Sequence, residues 1–242
     1  MEMTRIGRKG FEKMAQAQPT PPQERRNRLD PGSIIDAVLR LARQEPGERL
    51  TVRKLGQELE VDATAVYRHF RNRDAVIRAA LDRLFNLSLQ RTQAAAAGQD
   101  WRTRLETYIS ELLEAFMQHP ALGSESFATD TYGPGELQAI EFVLECLTDA
   151  GLAPDRVVHY YAALESYTLA LGTGISMEVQ RRPGSAGQEP WLNPGIFTRL
   201  SGYPLLDQHH ADLRRLDSQT AFRAGLTAIL DSAERESRPA AR

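Results

Sequence analysis

Hydrophobic positions recur at intervals of three and four along most of this chain of 242 residues, and no stretch shows the alternation of a strand. The first sustained run follows Asp30, placed to cap a helix, and Pro31, suited to its first turn. Ile34, Ile35, Val38, Leu39, Leu41 and Ala42 share its apolar side, and Glu45-Pro46-Gly47 ends it. Thr51 caps a short second helix running to about Leu59, with Val52, Leu55 and Leu59 inward. Asp62 caps a short third helix, Ala63 to about Phe70, with Val66 and Phe70 inward. Asn72 opens a long fourth helix whose stripe is Val76, Ile77, Ala80, Leu81, Leu84 and Leu87. If it reaches Ala97 it spans roughly 37 Å. Beyond Gly98 the pattern predicts helices over 101–118, 135–150, 154–180 and 204–234, the last divisible in two. The stretch 122–130 is poorly patterned, and 182–202, with several Pro and Gly residues, reads as a mobile loop.

The fold class is therefore all-α. Three units are expected: a flexible N-terminal tail over 1–29, a helix-turn-helix domain over 30–75, and a larger helical domain over 76–237. Composition agrees, since 41% hydrophobic and 26% charged residues suit a chain that buries a core. No apolar run is long enough for a membrane span, and no signal-like segment opens the chain. Cys146 is the lone cysteine, which excludes an intrachain disulfide and fits a reducing cytoplasm. Net charge is only −2, but residues 1–73 hold 15 basic and 10 acidic side chains, leaving 15 and 22 for the remainder. A basic end on an acidic body suits contact with a polyanion at that end alone, although chance asymmetry gives the same count.

Two short helices joined by three residues at 50–73 form a helix-turn-helix, whose second helix can enter the major groove of DNA. Its outward residues are Ala63, Thr64, Ala65, Arg68 and His69. Small side chains at its start let the backbone approach the bases. Tyr67, His69 and the amide groups at both helix starts can hold phosphates. Thr51-Val52-Arg53-Lys54-Leu55, then Val61, then Val66-Tyr67-Arg68-His69-Phe70 with Arg73 after it, resembles the DNA-binding signature of the TetR family over roughly residues 30–85. The resemblance implies that Thr51, Tyr67, His69 and Arg73 anchor phosphates, and that Arg53, Thr64, Ala65 and Arg68 lie at or near the bases. Ala63 belongs with them on the outward face. Two positions depart from the family. Glu60 stands where glycine is usual, at a left-handed position costing about 1 kcal/mol, so a distorted turn is expected there. Gly56 replaces the usual alanine and weakens the second helix. In the long tail, Arg25, Arg26 and Arg28 can follow the DNA backbone or the minor groove, or remain solvated.

In the remainder, His119-Pro120-Ala121-Leu122, Ala150-Gly151-Leu152 and Phe222-Arg223-Ala224-Gly225-Leu226 resemble the tetracycline-repressor subgroup. That resemblance implies a ligand cavity in the helical core and a homodimer through the last long helices. Candidate ligand contacts are His119, His159, Tyr161 and Glu165, the last two sharing a helix face at i and i+4. Tyrosines in this segment are as well explained by a core with hydrogen-bonded hydroxyls. Phe222, Leu226, Ile229 and Leu230 form a stripe wide enough for both a core and a partner. The expected protein is a cytoplasmic, sequence-specific DNA-binding regulator, a repressor released from a palindromic operator by a small-molecule effector, with no cofactor or metal. A DNA-binding dimer with no ligand is the alternative. An enzyme is a remote one: Asp207, His209, His210 and Asp212 offer metal-ligand chemistry, but adjacent histidines on a helix point about 100° apart.

Overall fold

The structure is a computed structural model of the chain, and it describes residues 29–185, 187–198, 200 and 202–237. The basic tail, with Arg25, Arg26 and Arg28, lies outside the described residues. Among the described residues ten α-helices follow one another: α1 Pro31–Gln44, α2 Val52–Glu58, α3 Ala63–Tyr67, α4 Arg73–Ala96, α5 Trp101–Gln118, α6 Pro120–Gly123, α7 Pro134–Asp149, α8 Pro154–Arg181, α9 Pro204–Arg215 and α10 Ser218–Ser237. The described residues contain no strand, only an isolated antiparallel bridge between Pro190 and Asp217. The all-α expectation holds. The poorly patterned stretch resolves into the one-turn α6 and a 3₁₀ turn at Ser126–Ala128, and the final segment does divide in two.

Local chemistry sets the helix starts. The side chains of Thr51, Asp62 and Asn72 accept from the backbone N–H groups of Lys54, Thr64 and Ala75 at 3.3, 2.8 and 2.9 Å. Each satisfies a donor that the first helical turn cannot pair internally. Helix α3 ends at Tyr67, earlier than Phe70, because the backbone tightens there into 3-residue turns: His69 N–H bonds Val66 O at 3.0 Å. The turn before α3 keeps its geometry despite Glu60. That residue takes the left-handed φ of 55°, and Val61 N–H still reaches Gly56 O at 2.9 Å. The expected distortion is absent, so the conformational cost remains stored in Glu60. Gly56 has a packing reason beyond helix propensity. A Cβ there would stand 2.9 Å from the Val61 carbonyl oxygen, so the close turn requires the missing side chain.

The core follows the apolar stripes. In α1, Ile34, Ala37, Val38 and Ala42 are buried, and Val66 anchors α3 with no exposure at all. In α4 the stripe runs through Val76, Ile77, Ala80, Leu81, Leu84, Phe85 and Leu89, and bypasses Leu87, which is half-buried. Helix α4 packs on α5 and α7, and α8 packs on α5, α6, α7 and α10. Phe85 and Phe116 meet edge to face with ring centroids 6.3 Å apart. Phe222, Leu226 and Leu230 of α10 are buried within the chain, while Ile229 of the same stripe is only half-buried.

Candidate nucleic-acid interface and ligand cavity

The outward face of α3 is built from the inside. Val66 fixes the helix against the core, and the neighbours one and two positions from a buried helical residue then point away from it. Thr64, Tyr67, Arg68 and His69 are exposed, Tyr67 to 49%, while Ala63 and Ala65 are half-buried. Thr51 and Arg53 are exposed at the start of α2, so the structure brings eight of the nine expected DNA-contact residues to the surface of one small motif. Arg53, Tyr67, Arg68 and His69 form no side-chain hydrogen bond or ion pair among the described residues. Lys54 differs: its ammonium meets Glu45 at 2.5 Å and Glu48 at 3.2 Å, and Glu45 first of all raises its pKa. Hydrogen bonds from Thr64, side chain first and then backbone, hold the Asp62 carboxyl below its ordinary value.

Arg73 does not join that face. Its Nε donates to Leu50 O at 2.9 Å, and its two terminal nitrogens engage the two carboxylate oxygens of Glu125, one at 3.0 Å. A phosphate would have to compete with this two-pronged ion pair, which raises the Arg73 pKa through its hydrogen bonds to Glu125. The pair ties the first residue of α4 to the turn after α6.

In the body, a cleft opens between α4, α5, α7 and α8. Its floor is apolar: Phe85, Tyr108, Ile109, Leu112, Ala139, Val143 and Leu164. Glu136, Tyr161, Glu165 and Thr168 supply the polar groups. The empty volume of the cleft, its open mouth included, is about 520 Å³. Tyr161 and Glu165 thus both line this cleft. Burial first, and then the Glu165 carboxylate, push the Tyr161 phenol well above its ordinary value, so it stays protonated as a donor.

The other two expected ligand residues lie outside this lining. His119 is buried after α5, with its Nδ1 2.8 Å from Ala115 O, and His159 is exposed beside Arg156 at 3.3 Å. Tyr160 and Tyr167 serve the core: their hydroxyls donate to Glu236 at 2.8 Å and to Phe222 O at 3.0 Å, joining α8 to α10. Asp207, His209, His210 and Asp212 fall on α9, and no group of residues suited to a metal ion occurs among the described residues.

Phe85, Tyr108, Glu136 and Thr168 escaped the reading of the sequence. Glu136 alone carried a signal, as an acid in the first turn of a helix opened by Gly133-Pro134-Gly135. Its surroundings explain the two glycines. Asp82 of α4 accepts from Glu136 N–H at 2.9 Å, and a Cβ on Gly135 would fall 2.1 Å from the Asp82 carbonyl oxygen. The Glu136 carboxylate accepts from the backbone N–H groups of Thr131 and Tyr132 at 3.1 and 2.8 Å. One residue of the cleft is thus joined directly to α4. No helix among the described residues is long and apolar enough to cross a membrane.

Comparison with known proteins adds two family matches. Residues 34–80 match the bacterial regulatory proteins of the tetR family, and residues 94–235 match the tetracyclin repressor-like C-terminal domain. An HTH-type transcriptional repressor of Mycobacterium tuberculosis is 28% identical over 220 residues, covering 88% of this chain and 83% of the relative. The crystal structure of a putative transcriptional regulator from Streptomyces coelicolor superposes with a TM-score of 0.69 at 26% identity, covering 87% of this chain and 100% of that one. ActR of Streptomyces coelicolor, in complex with actinorhodin, superposes with a TM-score of 0.67 at 20% identity, covering 88% and 100%.

Proposed function

The chain belongs to the TetR family of bacterial regulatory proteins, and from that premise we propose that it is a transcriptional repressor released from its operator by a small molecule held in the α4–α5–α7–α8 cleft. One observation carries the reading: α4 starts six residues after α3 ends, and its Phe85 borders the cleft. A stiff helix of roughly 36 Å then connects the ligand site to the DNA face. A ligand that prefers a tilted α4 by about 1–3 kcal/mol weakens operator binding about 5–150-fold.

The head, residues 30–75, reads DNA with Arg53, Ala63, Thr64, Ala65 and Arg68, and positions itself on phosphates with Thr51, Tyr67 and His69. The body, residues 76–237, binds the ligand and a second copy of the chain. Ala162, Ser166 and Ala170 on α8, with Ala224 and Ala228 on α10, are exposed and small, which supports close approach of a partner's helices. A two-fold dimer presents two α3 helices to inverted half-sites about one helical turn apart.

Selection from a random duplex pool tests the reading. The expected product is an inverted repeat whose affinity falls steeply with salt, because several phosphates per subunit are neutralised. Enrichment of no sequence would overturn it. Light scattering should give a dimer at micromolar concentration, and a compound screen scored by loss of operator binding should yield a ligand.

A further inference from the structure

The polar groups of the cleft all favour one kind of ligand. Apolar and aromatic side chains, among them Phe85, Tyr108 and Leu112, form a floor that suits a flat lipophilic body. Glu136 and Glu165 are its charged residues, and no Lys, Arg or His borders it. Both carboxylates share the lining with the Tyr161 hydroxyl, and Glu165 stands one helical turn from Tyr161 on α8. An anionic ligand would meet these carboxylates with no basic side chain in the lining, the Glu136 charge being only partly offset by the Thr131 and Tyr132 N–H groups. Deeper down, Thr168 is only 5% exposed, and its hydroxyl has no hydrogen-bond partner among the described residues. A buried hydroxyl left unpaired is costly, and a ligand heteroatom entering the cleft would relieve that cost.

We propose that the ligand is a planar, multi-ring aromatic compound with a protonated amine, the amine held at the rim by Glu165 and Glu136 and a ring heteroatom reaching the Thr168 hydroxyl. The inference rests on the cleft being the effector site and adds the chemical class of the effector. Phe85 of α4 borders the apolar lining, so a flat ring body seated there lies against α4 itself. Because Glu165 is exposed, the cation at the rim stays partly solvated, and the gain from charge is moderate rather than large.

Three compounds of one shape separate the terms: 9-aminoacridine, a cation at mildly alkaline pH; acridine, neutral there; and acridine-9-carboxylate, an anion. Isothermal titration of the full chain without DNA should give the order cation, neutral compound, anion, with about tenfold or more between the first two. Glu165→Gln, at an exposed position that leaves folding intact, should remove most of that preference and leave acridine unchanged. Ala139→Trp, which fills the cleft, should abolish binding of all three. If the carboxylate binds as well as the amine, or if Glu165→Gln leaves the preference intact, the charge assignment is overturned while the cleft remains a ligand site. If none of the three binds, the chemical class is overturned, and the operator-release screen decides the underlying reading separately.

Discussion

On and beside α3, Tyr67, Arg68 and His69 stand exposed without a side-chain partner among the described residues, while on α5 the charged groups are tied down. Arg102 meets Glu106, Asp231 and Glu234 at 2.9, 2.7 and 2.8 Å, joining α5 to α10. Arg104 meets Glu145 and Asp149 at 2.9 and 2.8 Å, and its guanidinium lies 5.2 Å from the centre of the Phe142 ring. The same residue type thus serves opposite ends. In the body it closes helix against helix, as Arg40 also does in the head by meeting Glu58 at 3.1 Å, whereas Arg53 and Arg68 on the outward side of the motif are left open, which is the state a partner requires. Arg73 stands between the two: it lies in the sequence motif of the head, yet it is closed by Glu125 of the body.

The widest separation of the two regions comes from a core residue of the body. Phe116 has no exposed surface and touches Phe85. Phe116→Ala should cost about 3–5 kcal/mol of stability through lost burial and a cavity. Urea unfolding measures it, and a loss well below this range would mean that the body is loosely packed. Next come the open arginines. Arg53→Ala and Arg68→Ala should each weaken operator binding by about 1–3 kcal/mol and relax preference at particular base pairs. Stability should stay within about 0.5 kcal/mol, because neither side chain holds anything in the fold. A fall in melting temperature without a change in base preference would break the contrast between open and closed charges.

The contrast also explains what the sequence discloses. In the head, each element is set by a few neighbouring residues: Thr51, Asp62 and Asn72 cap the helices, Val66 turns α3, and the outward face follows from 100° per residue. All of this is legible in about 25 consecutive positions. The cleft gathers Phe85, Tyr108, Glu136 and Thr168 from four helices, and only tertiary packing brings them together. Periodicity located the helices, yet it could not say which way α8 turns. That turn decides that Tyr161 and Glu165 face the cleft while Tyr160 and Tyr167 bond to α10. Arg73 shows the converse limit, since a motif names a residue but not the carboxylate 52 positions later that occupies it.

A smaller effect of opposite sign is expected in the head's turn. Glu60 holds φ at 55°, a conformation glycine adopts freely. Glu60→Gly should raise stability by about 1 kcal/mol and leave operator preference unchanged, because the side chain faces neither the core nor the outward side of α3. A destabilised variant would show that the acidic side chain, rather than the backbone, fixes the turn.

The smallest effect belongs to the body and appears only with pH. Burial lowers the pKa of His119 from its ordinary 6.5, and the charges of Arg43 and Arg91 lower it further, while the hydrogen bond to Ala115 O opposes the shift. In the folded chain the imidazole is therefore neutral at pH values where the unfolded chain already binds a proton. Acid then favours the unfolded state. The contribution of this group is fully present above about pH 6.5 and is lost as the pH falls from there through the lower folded value. Urea midpoints measured between about pH 8 and pH 5 should decline on the acid side, and His119→Gln, which keeps a donor for Ala115 O but cannot titrate, should flatten the decline. Both proteins share every other titrating group, so the difference between the two curves isolates His119. Coinciding curves would mean that the buried imidazole is charged as readily in the fold as in water, and that this part of the body is more open than its packing indicates.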